Sequence, residues 1–202
     1  DDRLSRGLGD VYKRQHLYFM GICGTAMGSV AAAFREAGYP VTGSDAHVYD
    51  PMKSFLERQG IKILNGYKAE NLPGDVDIFV IGNAQSRGNP EVEEVLNRKL
   101  HYVSLPELLR ELVLRGKRNF VVSGTHGKTT TSSILTWLFE SAGRNPNFVI
   151  GGLPGNLKQG ARFTGSDFTV LEGDEYDSAF FDKRSKFCLL YTSPSPRDSL
   201  SS

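Results

Sequence analysis

The chain has 202 residues, of which 39% are hydrophobic and 23% charged, and its 24 basic and 23 acidic residues leave a formal net charge of +1. That length allows one large domain or two modest ones, each with a real core. The balance of charge excludes a whole-molecule attraction to nucleic acid or to an anionic membrane surface, and two cysteines, Cys23 and Cys188, argue against a disulfide framework or a cysteine metal cage and fit a reducing cytoplasm.

The opening segment DDRLSRGLGDVYKRQ has no apolar period that would dock it on a core. The uncharged stretch from His16 to Phe34 follows Lys13 and Arg14 and superficially imitates an export signal. Gly21, Gly24 and Gly28 interrupt it, and its alanines run directly into FREAG, a helix end, so no leader is expected. HLYFMG reads as a buried strand, GICGTAMG as a glycine turn, and SVAAAFREAG as a helix stopped by Gly38. PVTGSD is a second strand ending in Asp45. Strand, glycine turn, helix and a strand with a terminal acid form the plan of a Rossmann-type nucleotide site. The glycines let backbone approach a diphosphate, whose charge the following helix N-terminus favours. Gly21, Gly24 and Gly28 are spaced GxxGxxxG rather than GxGxxG, so glycines that merely make tight turns remain an alternative.

PMKSFLERQG then reads as a helix, IKIL as a strand, and VDIFVIG as a strand entering NAQSRGNP. PEVEEVLNRK starts with Pro90 and acids in its first turn, as a helix should. HYVS is a strand and PELLRELVLR a helix. This alternation predicts a parallel sheet over residues 16–115, with its crevice where the loops Gly21–Gly28, Gly43–Asp45 and Gly82–Asn89 meet. RGKR at 115–118 is the expected domain boundary.

NFVVS is a strand, GTHGKT the turn after it, and TTSSILTWLFESAG a helix with Ile134, Leu135, Leu138 and Phe139 as its expected apolar face. A full Walker pattern needs glycine where Val122 stands, so the match is the shorter GTxGKT. Its physics survives: Gly124 and Gly127 let successive N–H groups turn inward, Lys128 reaches terminal phosphates, and the Thr129 hydroxyl faces Mg²⁺. FVIGGLPGNL gives another strand and glycine turn, and SDFTVLEGDEYD a strand with Glu172 at its end. An acid there can hold Mg²⁺ opposite the loop hydroxyl. Asp174, Glu175 and Asp177 are either further ligands or a solvated acidic loop, and Lys183, Arg184 and Lys186 a solvated face. The last residues, CLLYTSPSPRDSLSS, are rich in Ser and Pro. Residues 1–15 and 188–202 are expected to be disordered or non-native tails, and both resemble translated sequencing-adapter read-through.

GICGTAMG, GSDAHVYDPM, IGNAQSRGNPEVE, SGTHGKTTT, IGGLPGN and EGDEYDSAFFDKRSKF together resemble the Mur ligase family. The resemblance runs from His16 to Phe187. It implies an α/β chain with a Rossmann-like parallel-sheet N-terminal domain over 16–115, followed by a truncated P-loop α/β ATPase-like domain over 119–187. It implies an amide ligation in which ATP phosphorylates the lactyl carboxylate of UDP-N-acetylmuramate and the amine of the murein tripeptide attacks the acyl phosphate. By the same resemblance Gly124, Thr125, His126, Gly127, Lys128, Thr129 and Thr130 hold the ATP phosphates, and Thr129 and Glu172 share Mg²⁺. Lys128 and Glu172 are then the catalytic pair. Gly21, Gly24, Thr25, Met27 and Gly28, with Ser44 and Asp45, would hold the UDP moiety, and Asn83, Ala84 and Asn156 the substrate diphosphate and sugar. Members that add L-alanine usually show GGxGMSG, a Ser-Ser-Ala turn and a DESD-type motif where this chain has GICGTAMG, GNA and DEYD. In the family the ATPase domain continues past this point and a third domain binds the amine, so the chain is expected to be inactive alone. Two readings compete with it: a UDP-sugar-binding module without catalysis, and a dinucleotide oxidoreductase, which nicotinamide-cofactor binding would reveal.

Overall fold

The computed structural model describes residues 15–152, 155, 157–173, 177–179 and 181–185. Apart from Gln15, the tails expected at 1–15 and 188–202 lie outside the described residues, as do Asn156, Asp174, Glu175 and Lys186.

Strand β1 (Leu17–Met20) is apolar at all four positions and buried at all four. A strand without a polar face must sit inside a sheet covered on both sides, and β1 is the centre of a five-stranded sheet of order β3-β2-β1-β4-β5. It pairs in parallel with β2 (Val41–Asp45) and β4 (Ile78–Ile81), while β3 (Lys62–Asn65) and β5 (Tyr102–Ser104) form the edges. Alternate residues of β1 face opposite layers. Leu17 and Phe19 pack with Val30, Phe34, Leu56 and Leu108; Tyr18 and Met20 pack with Phe79, Val92 and Val95. These layers are built by α1 (Thr25–Glu36), α2 (Met52–Arg58), α3 (Pro90–Asn97) and α4 (Leu105–Leu109), the last running into a π-helical turn at Arg110–Leu114. Local chemistry starts two of them: Asn89 caps α3, and Ser104 and Glu107 form a capping box on α4. The chain leaves β1 toward β3 and returns to β4, so the switch in strand order lies at the C-terminal ends of β1 and β4, where such sheets bind ligands.

The second sheet has the order β6-β9-β7-β8. Strands β6 (Arg118–Val122), β9 (Phe168–Glu172) and β7 (Asn147–Val149) run parallel, and β8 (Ala161–Arg162) is antiparallel to β7. Strands β10 (Asp177–Ala179) and β11 (Asp182–Ser185) make a hairpin. Neither β8 nor this hairpin is legible in the sequence, since two to four residues are too few to show a period. Residues 115–118 pass between the sheets, yet the packing continues across them. The Phe34 ring of α1 lies 4.7 Å from that of Phe163, and Ala161 and Leu171 belong to the same apolar cluster as α1.

Helix α5 (Lys128–Ser141) corrects its expected apolar face. Leu135 and Phe139 do pack on Phe148, Ile150, Leu157 and Val170, but Ile134 and Leu138 are 54% and 51% exposed. The buried side carries Ser132 and Thr136 instead. At ~100° per residue, Ile134 lies well round the helix from the Ser132–Leu135–Thr136–Phe139 side, and small hydroxyl residues let the helix sit close to β9 and β6. Among the described residues, no helix is long and apolar enough to cross a membrane.

Candidate functional site

The three strand-end loops of the first sheet do meet. The backbone N–H groups of Gly21 and Ile22 donate to the Ser44 carbonyl at 2.8 and 3.1 Å, and that of Gly82 donates to the Met20 carbonyl at 3.1 Å. Cys23 N–H donates to Asp45 Oδ2 at 2.9 Å. Helix α1 starts beyond Gly24 with no side-chain cap and no acid in its first turn, which leaves its leading N–H groups to an anion. Gly28 is obligatory for this approach: a Cβ there would lie 2.6 Å from Met52 Sδ and 2.9 Å from the Ile22 carbonyl. Burial first, then the Asp45 charge, pushes the Cys23 thiol up to about 11, so it stays protonated at neutral pH.

Under this crevice lies Glu91, fully buried. Its carboxylate accepts from Ser44 Oγ at 2.5 Å, Asn71 Nδ2 at 2.6 Å, and the Tyr18 hydroxyl and Lys68 N–H at 3.3 Å each. Burial outweighs these donors and raises the carboxyl pKa above its ordinary value. The Ser44 hydroxyl is thus committed to Glu91 and itself fully buried, so the side chain expected to hold a ligand points into the protein. The Met27 side chain is core as well, and both it and Gly28 are buried. Gly24, Thr25, Asn83 and Ala84 are exposed, and Asp45 is half-buried. Glu91 was missed because it reads as one of three ordinary acids at the start of a helix. Its spacing with buried Val92 and Val95 is the only signal that sets it on the inner face.

In the second sheet, β6 and β9 bring their C-terminal ends side by side, Val122 opposite Glu172. Residues 123–127 form an exposed turn, and Gly127 stands before α5 with φ of 76°, the left-handed conformation that a side chain disfavours. Lys128 folds over the turn, its Nζ donating to the Gly124 carbonyl at 2.6 Å. His126 Nδ1 lies 3.2 Å from Thr125 Oγ1. The Thr129 hydroxyl donates to Glu172 Oε1 at 2.9 Å, and Gly151 N–H donates to Glu172 Oε2 at 2.9 Å. An open cleft of about 380 Å³ continues from Thr129 and Thr130 along Ser133 to Ile134 and Trp137. Among the described residues, no group of three or more His, Cys, Asp or Glu side chains is placed so that it could hold a metal ion. What the second site offers is a lysine, an exposed glycine turn, and a hydroxyl–carboxylate pair of hard oxygens, a donor set suited to Mg²⁺ bound together with phosphates.

The model of the Mur ligase family, catalytic domain, matches residues 16–117, about half of the chain. The chain is 53% identical over 171 residues to the UDP-N-acetylmuramate–L-alanyl-γ-D-glutamyl-meso-2,6-diaminoheptandioate ligase of Escherichia coli K12, covering 85% of this chain and 37% of that protein. It is 39% identical over 173 residues to a UDP-N-acetylmuramate–L-alanine ligase of Syntrophus aciditrophicus, covering 85% and 35%. In structure it is similar to the UDP-N-acetylmuramate:L-alanyl-γ-D-glutamyl-meso-diaminopimelate ligase of Neisseria meningitides, with a TM-score of 0.83 and 46% identity over 88% of this chain and 58% of that one. The chain spans little more than a third of the length of the curated relatives it matches. With the family model matching half of the chain and relatives aligned over 85% of it, the chain belongs to the Mur ligase family.

Proposed function

We propose that this chain is the part of an ATP-dependent amide ligase that carries its sugar-nucleotide site (residues 16–115) and its phosphate loop (within 119–187). The complete enzyme would join UDP-N-acetylmuramate to L-alanyl-γ-D-glutamyl-meso-diaminopimelate in peptidoglycan recycling. The observation that carries the reading is the 2.9 Å contact of Thr129 with Glu172 beside Lys128, at the ends of paired parallel strands. In this reading the amides of residues 124–130 cup the phosphates of ATP, Lys128 balances charge on the transferring group, and Thr129 and Glu172 hold Mg²⁺. Gly21, Gly24, Thr25 and Asp45 hold the UDP moiety, with Asn83, Ala84 and Asn156 toward the diphosphate and sugar. Met27, Gly28 and Ser44 shape that loop from beneath.

The γ-phosphoryl group passes to the lactyl carboxylate as ADP leaves. The tripeptide amine then attacks the acyl carbon, phosphate departs, and the nitrogen gives up a proton as the amide forms. The protein contributes alignment and charge stabilisation rather than a covalent step. The higher identity to the tripeptide ligase, 53% against 39%, favours the tripeptide over L-alanine as acceptor. A reaction that consumes ATP and a UDP-sugar goes with a cytoplasmic enzyme.

Calorimetry with UDP-N-acetylmuramate, ATP–Mg²⁺ and NAD tests the reading. The chain should bind UDP-N-acetylmuramate and release no phosphate on addition of tripeptide. In the full-length enzyme Lys128→Ala should weaken ATP–Mg²⁺ at least about tenfold, the loss of one or two charge-assisted bonds. Binding of NAD in place of UDP-N-acetylmuramate, or an unchanged affinity for ATP–Mg²⁺ in the Lys128→Ala enzyme, would overturn it.

A further inference from the structure

Across the C-terminal ends of the first sheet runs a hydrogen-bond chain whose direction is set by its first link. Asn89 Oδ1 accepts from the backbone N–H groups of Glu91 at 2.9 Å and Val92 at 3.4 Å. Both partners are donors, so the atom facing them is the amide oxygen and Nδ2 faces the other way. There it donates to Gln85 Oε1 at 2.7 Å. That contact orients Gln85 in turn, and its Nε2 donates to the Tyr67 hydroxyl at 2.7 Å. An amide nitrogen only donates, so the phenol oxygen is the acceptor and its proton points elsewhere. The Tyr67 proton is therefore left to give, and among the described residues no side chain or carbonyl is shown accepting it.

Its position says what could. Tyr67 follows β3 and reaches over the end of β1, where a Cβ on Gly21 would lie 3.8 Å from the phenol oxygen. Asp45, at the end of β2, lies alongside: its carbonyl accepts from the N–H of Gly66, the residue before Tyr67, at 2.8 Å. The two Asp45 oxygens each accept one backbone bond, from His47 and from Cys23, and each keeps a lone pair. A hydroxyl donor and a carboxylate acceptor therefore stand together at the end of β2, where Rossmann-type sheets hold a ribose. A ribose hydroxyl can give its proton to the one and accept from the other. A phosphate offers acceptors alone and would stand against the Asp45 charge. A uracil edge also pairs a donor, N3–H, with a carbonyl acceptor, and the deoxy analogues below tell it from a ribose, because a base contact would lose equally with UDP and with both analogues.

We propose that Tyr67 is a nucleotide-binding residue that donates a hydrogen bond to a ribose hydroxyl of a bound nucleoside diphosphate, and that Asn89, acting through Gln85, is the positioning residue that sets its direction. The inference rests on the reading of the glycine-loop crevice as a nucleoside-diphosphate site.

The test is calorimetric titration of UDP, 2′-deoxy-UDP and 3′-deoxy-UDP into the chain and into its Tyr67→Phe and Asn89→Asp variants, with thermal unfolding of each. Tyr67→Phe should weaken UDP about fivefold to tenfold and should make no difference to the analogue that lacks the contacted hydroxyl. Asn89→Asp keeps a capping oxygen but removes the amide donor, so Gln85 can turn its oxygen toward Tyr67 and capture the proton. Its UDP affinity should fall as in Tyr67→Phe with the melting temperature little changed, and the double variant should bind no more weakly than Tyr67→Phe. Undiminished UDP binding by Tyr67→Phe, or an equal loss for UDP and both deoxy analogues, overturns the ribose contact. Asn89→Asp binding UDP like the parent, or losing affinity only in step with a collapse in melting temperature, overturns the positioning role. Failure of the parent chain to bind UDP at all would refute the underlying site and this inference with it.

Discussion

Replacing Glu91 by alanine should be among the most damaging single changes in the first sheet, and replacing it by glutamine should be mild. Glu91 is fully buried, as are two of its donors, Tyr18 and Ser44. Alanine strands both hydroxyls and leaves a cavity, whereas the Lys68 N–H and the half-buried Asn71 can turn to water. A buried polar group without a partner costs about 1–3 kcal/mol. Two of them, partly offset by no longer burying a carboxylate, amount to about 2–5 kcal/mol out of the ~5–15 that hold a domain together. Glutamine fits because the bonds divide unevenly. Three donors converge on Oε1 and only Ser44 on Oε2, so an amide oxygen keeps the three while its nitrogen donates to a reoriented Ser44 hydroxyl. The pH profile separates the variants further. The folded carboxyl pKa is raised above its ordinary 4.5 by burial, so the native state binds the proton more tightly than the unfolded one. The parent's stability should be greatest below pH 4.5 on this account and fall as pH rises through the raised pKa, and Glu91→Gln should lack that component. Urea unfolding at several pH values, with the denaturant slope checked for constancy, measures all of this. A Glu91→Ala chain within 1 kcal/mol of the parent, or Glu91→Gln as unstable as Glu91→Ala, would refute the reasoning.

Three further outcomes are expected. Asn147 is fully buried, its amide nitrogen donating to the carbonyls of Ser166 and Phe168 and its oxygen accepting from Thr164 and Gly165 N–H. Asn147→Asp should therefore cost about 3 kcal/mol or more at neutral pH, and recover part of it in acid, where a protonated carboxyl can donate again; chemical denaturation at both pH values reads it. A Cβ on Gly160 would lie 2.7 Å from Ser29 Oγ of α1 and 2.8 Å from the Gly152 carbonyl, so Gly160→Ala should lower stability by about 1–3 kcal/mol and loosen the packing between the two sheets, visible as faster amide exchange in α1. On α5, Leu138→Gln should change stability by under about 0.5 kcal/mol while Phe139→Ala costs about 3 kcal/mol or more; calorimetric melting of the pair checks which face is inward.

The alternation of strands and helices, the burial of the LYFM strand, the glycine turns and the acids at the ends of β2 and β9 were all legible in the sequence. Local rules write them: an apolar run with no polar face must be covered twice, a helix needs a start and a stop, and a phosphate turn needs glycine before its lysine. Tertiary structure alone decided the rest. Ile134 and Leu135 are neighbours of the same type, yet one is exposed and the other packed, because the sheet's position and not the residue selects the inward side. Glu91, Glu93 and Glu94 are equivalent acids in sequence; the fold buries the first under four donors drawn from β1, β2, the loop after β3 and the turn that follows. The direction of the Asn89–Gln85–Tyr67 chain is of the same kind, since it depends on the Gln85 and Tyr67 side chains, 18 residues apart, meeting over the end of β1. Local sequence specifies which conformations a segment favours, but burial and hydrogen-bond direction are properties of pairs distant in the chain, and only the assembled sheet brings those pairs together.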